Sequence, residues 1–216
     1  MAFRNRAEAA ERLAVRLKAY EGMNPLVLAI PRGAVPMARV IADALGGEVD
    51  VVLVRKLGAP LNPELAVGAM DESGWAYVAE YAASTGADAA YIEQEKRAQL
   101  EVLRRRRAQY TAARPPVDPA GRIVIVVDDG LATGATMISA LPALRARHPA
   151  RLVCAVPVSP PDTLRKVAAL ADEAVCLEAP EYFVAVGQFY EEFPQVEDEE
   201  VVAILTEGAK PQGQSR

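Results

Sequence analysis

The sequence predicts an α/β protein with an open, mostly parallel, twisted sheet flanked by helices. Three observations support this fold class. Residues 123–127, IVIVV, form an unbroken apolar run, which is typical of a parallel strand buried on both faces. Residues 26–30 form a second such run, and each run precedes a turn and a helical pattern. With 216 residues, 51% of them hydrophobic, the chain can form a single domain around its own core.

The first quarter of the chain is predicted to alternate helices and strands. Residues 6–20 place Leu13, Leu17 and Tyr20 among charged residues, which indicates an amphipathic helix. Gly22 and the Asn-Pro pair after it are expected to end this helix. The elements expected next are a strand over residues 26–30, a helix from about residue 36 to 45 and a strand over residues 49–54.

The middle of the chain is predicted to contain an inserted β-hairpin and a long helix. Residues 57–80 suggest two short strands around a turn at residues 71–74. The helix is expected from residue 85 to about residue 113. Its run of four arginines, residues 104–107, covers every face of a helix and cannot form one basic stripe, so a solvated, salt-bridged helix end is expected.

The last third of the chain is predicted to continue the alternation. The aromatic side chains near the C-terminus are expected mostly to pack against a C-terminal helix, and residues 207–216 are expected to be disordered. The other elements expected here are a helix from residue 136 to about 147, a crossover helix over 162–170, and strands at 152–156 and 174–177.

The composition argues against several classes of function. A net charge of −5 does not suit a nucleic-acid surface. No apolar run reaches the roughly 18–20 residues of a membrane span, and the N-terminus lacks a signal sequence, so a cytoplasmic protein without a membrane partner is expected. Cys154 and Cys176 lie in apolar runs and are expected in the core, and the sole histidine, His148, stands at a helix end. Ser/His/Asp catalysis and histidine-rich metal sites are therefore disfavoured.

Two adjacent carboxylates and a small-residue loop follow the buried run at residues 123–127. Asp128 and Asp129 stand where the strand leaves the sheet, and the loop GLATGAT comes next. The N–H groups of this loop and of the following helix suit a phosphate. Paired carboxylates suit a vicinal diol or Mg²⁺. A ribose 5-phosphate would satisfy both parts, whereas the alternative is an ordinary turn with two solvated aspartates.

The segment VVDDGLATGAT resembles the phosphoribosyl pyrophosphate (PRPP) motif of the type I phosphoribosyltransferases, whose core is Rossmann-like. The resemblance implies that Asp128 and Asp129 hold the ribose hydroxyls and Mg²⁺, the metal either directly or through PRPP and water. It also implies a loop that binds the 5′-phosphate through backbone N–H groups and two hydroxyls. The residues of this phosphate loop are Gly130, Leu131, Ala132, Thr133, Gly134, Ala135 and Thr136.

The turn IPRGAVP, residues 30–36, resembles the pyrophosphate loop of the same family, in which a non-proline cis peptide is frequent. The resemblance implies that Arg32 and Gly33 contact the pyrophosphate, Arg32 through its guanidinium fork. Arg55 and Lys56, predicted at the end of the 49–54 strand, would face the same anion. Lys56 is predicted to act in catalysis beside the two aspartates. The alternatives are a helix-start turn with a surface arginine for Arg32 and a solvated strand exit for Arg55 and Lys56.

The family likeness also predicts how a single domain over residues 1–216 is divided. Its parts are a core at about 23–160, a mobile insert at about 57–80 that closes over PRPP, and a small hood from about 1–20 and 178–206. Phe183 and Val184 in the hood are the candidates to contact a nucleobase. The sequence leaves open whether the protein forms a homodimer.

Two departures from the family pattern bear on the acceptor. Purine-salvage members usually carry an aspartate where this chain has Ala132, and that acid handles the ring proton of the base. The lysine expected in the mobile loop of the orotate branch is absent between Leu57 and Glu95. The identity of a nucleobase-like acceptor therefore stays open, as does the choice between catalytic and structural roles for Glu64 and Asp71.

Three functions compete. The favoured one is a phosphoribosyltransferase that uses PRPP and Mg²⁺ with a nitrogen acceptor. The second is a PRPP-binding regulator without turnover, which would be expected to bring a basic nucleic-acid face that the net charge does not support. The third is another α/β enzyme, an NTPase or a dinucleotide-linked oxidoreductase, but the chain lacks G-x-x-x-x-G-K-[ST] and G-x-G-x-x-G.

Overall fold

The computed structural model describes residues 2–111 and 116–207, and of Glu64 only the backbone. Strands and helices alternate along this part of the chain. The strands are β1 (Leu26–Ala29), β2 (Glu48–Val51), β3 (Val54–Ala59), β4 (Asn62–Asp71), β5 (Ala76–Val78), β6 (Ile123–Val127), β7 (Arg151–Val158) and β8 (Glu173–Glu178). The α-helices are α1 (Arg6–Arg16), α2 (Val35–Leu45), α3 (Ala89–Tyr110), α4 (Ala135–Arg145), α5 (Pro161–Ala168) and α6 (Asp198–Glu207).

A five-stranded, fully parallel sheet in the order β2-β1-β6-β7-β8 forms the centre of the molecule, which confirms the predicted α/β fold class. β1 lies beside β6, with Leu26 opposite Val124 and Ala29 opposite Val127. Parallel strands end at the same edge of a sheet, so the loops that follow β1 and β6 are neighbours. The two predicted phosphate-binding turns are thereby brought together.

Both faces of the sheet are covered by apolar side chains, as the unbroken strand runs predict. Ile125 and Val127 point into one core with α1, α2 and α6, whereas Val124 and Val126 point into the other with α4 and α5. The buried Cys154 lies in the second core, and burial raises the pKa of its thiol, in agreement with the predicted core role.

The insert is a separate three-stranded antiparallel sheet in the order β3-β4-β5, which packs against α3 and α4. The predicted hairpin is present, and its turn is held by Asp71, whose Oδ1 accepts hydrogen bonds from Ser73 and Trp75. This bonding gives Asp71 a structural role. The side chain of Glu64 lies outside the described residues.

The strand expected over residues 49–54 is divided in the structure. β2 ends at Val51, the chain leaves the central sheet, and β3 starts at Val54. Arg55 and Lys56 consequently lie inside the first strand of the insert and not at the exit of a core strand. Residues 51–54, VVLV, contain no turn residue where the chain leaves the sheet, so the sequence gives no sign of this change of sheet.

The long helix α3 begins after Asp88, whose side chain accepts a hydrogen bond from the N–H of Tyr91. The prediction of a fully solvated arginine run is wrong at its last member. Arg107 is 9% exposed and donates to the buried Asp50, to Glu72 and to the carbonyl of Val51. Residues 112–113 of the predicted helix lie outside the described residues.

The two ends of the chain pack against each other. Phe3 forms a β-bridge with Tyr190, and their rings lie 5.4 Å apart. The expected C-terminal helix is α6, whose buried Val201 and Leu205 join the core that contains α1. No helix in the described part of the chain is long and apolar enough to cross a membrane. Of residues 207–216, predicted to be disordered, Glu207 is the last residue of α6, and residues 208–216 lie outside the described residues.

Candidate functional site

The loops after β1 and β6 meet at the carboxyl edge of the sheet. The peptide bond between Pro31 and Arg32 is cis, as the likeness to the pyrophosphate loop implies. Gly33 lies directly against Asp129, and a Cβ atom at Gly33 would overlap Oδ2 of that carboxylate. The close approach of the two loops therefore requires glycine at this position.

The acid pair, Asp128 and Asp129, lies half-buried at the end of β6. Burial and the neighbouring charge of Asp129 hold the pKa of Asp128 well above its usual range. The pKa of Asp129 is raised by burial as well, while its hydrogen bonds with Arg6 counteract that increase. The two carboxylates are thus held at an electrostatic cost, which a bound hydroxyl group or cation would relieve.

Arg6, the first residue of α1, is bound to the acid pair. Its Nε and Nη2 donate to Oδ2 of Asp129 at 2.9 and 2.8 Å, and Nη1 donates to the carbonyl of Pro194 at 2.6 Å. The guanidinium carbon lies 3.7 Å from the centre of the Phe193 ring. The hydroxyl of Tyr190 donates to the backbone carbonyl of Asp129 at 2.7 Å. Residues from both ends of the chain therefore fix Asp129.

The phosphate loop, residues 130–136, leads from the acid pair into α4. Gly134 adopts a left-handed conformation (φ 71°) and caps the helix. Ala132, Thr133 and Thr136 are exposed at the start of α4, and the hydroxyl of Thr133 accepts a hydrogen bond from the N–H of Ala135 at 3.4 Å. The free N–H groups of a first helical turn form a site for an anion.

Two contacts anchor this loop to the fold. Leu131 is 2% exposed, and its N–H donates to the carbonyl of Val158 at 2.9 Å, so Leu131 holds the loop in place and does not offer its N–H to a phosphate. Thr163, near the start of α5, donates from Oγ1 to the carbonyl of Ala132 at 2.9 Å. These contacts fix the loop from β7 and α5.

The predicted pyrophosphate cations lie in different surroundings. Arg32 makes ion pairs with Glu197 and Asp198 at the start of α6, at 3.5 and 3.7 Å. Arg55 donates from Nε to Gln99 of α3 at 2.8 Å, and Lys56 is exposed on β3. Of the four residues predicted to bind pyrophosphate, Arg32 and Gly33 belong to the loop that contacts the acid pair.

The predicted base-contacting segment lies beside the phosphate loop. Phe183 packs on Phe189, with ring centres 5.1 Å apart, and Val184 is 70% exposed. Two residues further on, the side chain of Val186 lies against Gly130. The segment therefore borders the loop that follows the acid pair.

Sequence analysis did not identify Arg6, Tyr190 or Thr163 as site residues. Arg6 is 123 positions from Asp129 in the chain and looks like one of several charged residues on an amphipathic helix. A threonine in the first turn of a helix after a strand gave the only local signal for Thr163.

Known proteins are similar to this chain in sequence and in fold. The family model for a phosphoribosyl transferase domain matches residues 2–194. A Mycobacterium tuberculosis protein (strain H37Rv) with the name "Putative phosphoribosyl transferase" is 43% identical over 204 residues, which cover 94% of this chain and 46% of the relative. The chain thus spans about half the length of the curated relatives it matches.

Among solved structures, the crystal structure of TT1426 from Thermus thermophilus superimposes with a TM-score of 0.89 at 46% identity, and the match covers 97% of this chain and 100% of that one. The family match extends over nearly the whole described chain. The chain belongs to the phosphoribosyl transferase domain family.

Proposed function

We propose that the protein transfers the 5-phosphoribosyl group of PRPP to a nitrogen acceptor and releases pyrophosphate. One observation carries the proposal: the acid pair, the phosphate loop and the loop of residues 31–33 meet at the end of two adjacent parallel strands. This arrangement provides groups for all three parts of PRPP. The family membership supports the same reaction.

Each part of the site has a task in this reaction. The N–H groups of the phosphate loop hold the 5′-phosphate, and Asp128 and Asp129 hold the ribose hydroxyls. The two carboxylates also favour the positive charge that grows on the ribose ring as pyrophosphate departs. Arg32 and, further out, Lys56 and Arg55 attract the pyrophosphate through their positive charges.

The acid pair fits a Mg²⁺ ion that arrives with its substrate. Mg²⁺ keeps several waters and is usually bound by one or two carboxylates together with substrate phosphates. Asp128 and Asp129 offer such carboxylate oxygens, and no cluster of three or more His, Cys, Asp or Glu side chains suited to a metal occurs among the described residues. Bound there, the ion would neutralise charge on the pyrophosphate.

The acceptor is proposed to be a nucleobase or a related nitrogen heterocycle that lies against Phe183 and Val184. Ala132 supplies no acid to share a ring proton. The acceptor must therefore react without help from that position, or obtain it from another group.

Calorimetric titration with PRPP and Mg²⁺, compared with ribose 5-phosphate, tests the donor half of the proposal. We expect micromolar, Mg²⁺-dependent binding of PRPP, followed by pyrophosphate release when a panel of nucleobases is added. Tight binding without pyrophosphate release from any acceptor would favour a PRPP-binding regulator. Absence of PRPP binding would contradict both.

The double variant Asp128→Asn/Asp129→Asn tests the ribose assignment. Neither side chain belongs to the apolar core, so the variant is expected to fold and to bind PRPP at least about tenfold more weakly, since hydrogen bonds to charged groups contribute about 1.5–3 kcal/mol. Unchanged PRPP affinity would remove the acid pair from the ribose site.

A further inference from the structure

Arg6 is the residue outside the recognised motifs that has the most contacts at the site. Its side chain is 11% exposed, and all three of its nitrogens donate hydrogen bonds. Two of them reach the same oxygen, Oδ2 of Asp129, and the flat guanidinium face lies on the Phe193 ring. An arginine held in this way has a single orientation, and so has the carboxylate that it binds.

The contact with Arg6 makes the two carboxylate oxygens of Asp129 inequivalent. Oδ2 is occupied by Arg6 and lies against Gly33. Among the described residues, both side-chain hydrogen bonds to this carboxylate reach Oδ2, and none reaches Oδ1. Beside it, Oδ1 of Asp128 accepts a hydrogen bond from the N–H of Asp129. One oxygen of Asp129 is therefore fixed by protein donors, while the other can accept a hydroxyl group.

We propose that Arg6 is a positioning residue that orients Asp129 so that Oδ1 accepts a hydrogen bond from one ribose hydroxyl of the substrate. The inference rests on the proposed function, since it requires a ribose phosphate in this site. Arg6 does not touch the substrate in this scheme. Its contribution is to select the carboxylate rotamer and to keep Oδ2 from competing for the ligand.

Arg12 provides a matched control on the same helix. It makes the same three kinds of contact, to the carbonyl of Ala2 at 2.9 Å, to the carboxylate of Glu178 at 3.2 Å and to the ring of Phe3 at 4.7 Å. None of these contacts involves the acid pair or its loops. Loss of packing on α1 should therefore affect Arg12→Gln and Arg6→Gln alike, whereas loss of a positioned Asp129 should affect only Arg6→Gln.

The experiment measures discrimination between ligands. Ribose 5-phosphate and its 2-deoxy and 3-deoxy analogues are titrated calorimetrically into the wild-type protein, Asp129→Asn, Arg6→Gln, Arg6→Lys and Arg12→Gln, without a divalent metal. Asp129→Asn identifies the hydroxyl that this carboxylate holds. For that hydroxyl we expect the wild-type protein to prefer ribose 5-phosphate by about tenfold or more, as for a hydrogen bond to a charged group.

We expect Arg6→Gln to reduce this preference to about twofold or less, and to do so for the same hydroxyl that Asp129→Asn identifies. Arg6→Lys should give an intermediate preference, and Arg12→Gln should leave the preference unchanged. Equal weakening of all three ligands would mean that Arg6 is merely structural and would overturn the inference, as would an unchanged preference. Should Arg6→Gln fail to fold, wild-type behaviour of Arg6→Lys would overturn it. A wild-type protein that binds no ribose 5-phosphate would instead refute the proposed function.

Discussion

At the scale of single residues, the two adjacent aspartates differ in their surroundings. Asp129 is bound by Arg6, whereas Asp128 accepts a hydrogen bond only from the neighbouring backbone within the described part of the chain. The pKa of Asp128 is raised most by burial and next by the charge of Asp129. Asp128 therefore carries the larger cost of ionisation in the free protein.

Asp128→Asn is expected to stabilise the ligand-free protein at pH 7–8, because it removes the cost of ionising a buried carboxyl group beside the charge of Asp129. Because the folded state raises the pKa of this carboxyl, ionisation at rising pH destabilises the fold. The advantage of the variant should shrink as the pH falls through the folded-state pKa and vanish below the unfolded value of about 3.9. Denaturant unfolding in a chelating buffer from pH 4 to 8 measures it, and a pH-independent difference would contradict the assignment.

Thr163→Val is expected to weaken the binding of ribose 5-phosphate several-fold. The change removes the hydrogen bond from Oγ1 to the carbonyl of Ala132, which leaves a backbone acceptor of the phosphate loop without that donor. Calorimetry against ribose 5-phosphate checks the effect.

Thr206→Val serves as the control for this variant. Its hydroxyl donates to the carbonyl of Val202 within α6 and makes no hydrogen bond with the phosphate loop. If Thr163→Val and the wild-type protein bind ribose 5-phosphate with equal affinity, α5 does not position the loop.

At the scale of elements, a buried ion cluster joins three parts of the chain. Arg107 of α3 binds Asp50 of β2 and Glu72 in the turn of the insert. Asp50 is 1% exposed and also accepts a hydrogen bond from the N–H of Val117. The cluster fixes the insert to the core at its turn.

Arg107→Met is expected to destabilise the protein by about 3–5 kcal/mol, because it removes the cation that lies between the carboxylates of Asp50 and Glu72. The midpoint of urea unfolding measures the loss.

Arg105→Met, two residues earlier on the same helix, is the matched control. Its pair with Glu101 is exposed, and pairs of this kind contribute about 0.3–0.5 kcal/mol. Similar stability of the two variants would contradict a supporting role for the ion cluster.

At the scale of the whole molecule, both ends of the chain converge on the site. Arg6 near the N-terminus holds Asp129, and Glu197 and Asp198 at the start of α6 face Arg32. The C-terminal acids neutralise a cation that is proposed to bind pyrophosphate. Substrate binding and the position of α6 should therefore be linked.

Glu197→Gln is expected to tighten pyrophosphate binding about two- to fivefold at low salt, because an exposed ion pair that competes for Arg32 contributes up to about 1 kcal/mol. The gain should fade as ionic strength rises. Calorimetry with Mg-pyrophosphate at two salt concentrations measures it.

Glu200→Gln removes the same charge from the first turn of α6 and is the control. An equal gain in both variants would indicate a general effect of net charge and not competition for Arg32.

Much of the fold followed from local patterns. The apolar runs of β1 and β6, the amphipathic α1 and the hairpin turn at residues 71–74 were predicted because each is encoded within a few consecutive residues. The division of the 49–54 strand and the burial of Arg107 were not predicted. Both depend on which distant element a residue meets, and four consecutive arginines give no local sign that one of them is enclosed by Asp50 and Glu72.

The sequence by itself determined the chemistry of the site: two carboxylates at the end of a buried strand and a small-residue loop before a helix, all within residues 123–137. Only the tertiary structure decided how that chemistry is held. The partners of the acid pair and of Arg32 come from residues 6, 197 and 198. Hydrogen-bond geometry over such separations is set by the packing of α1 and α6 against the sheet, which no run of neighbouring residues encodes.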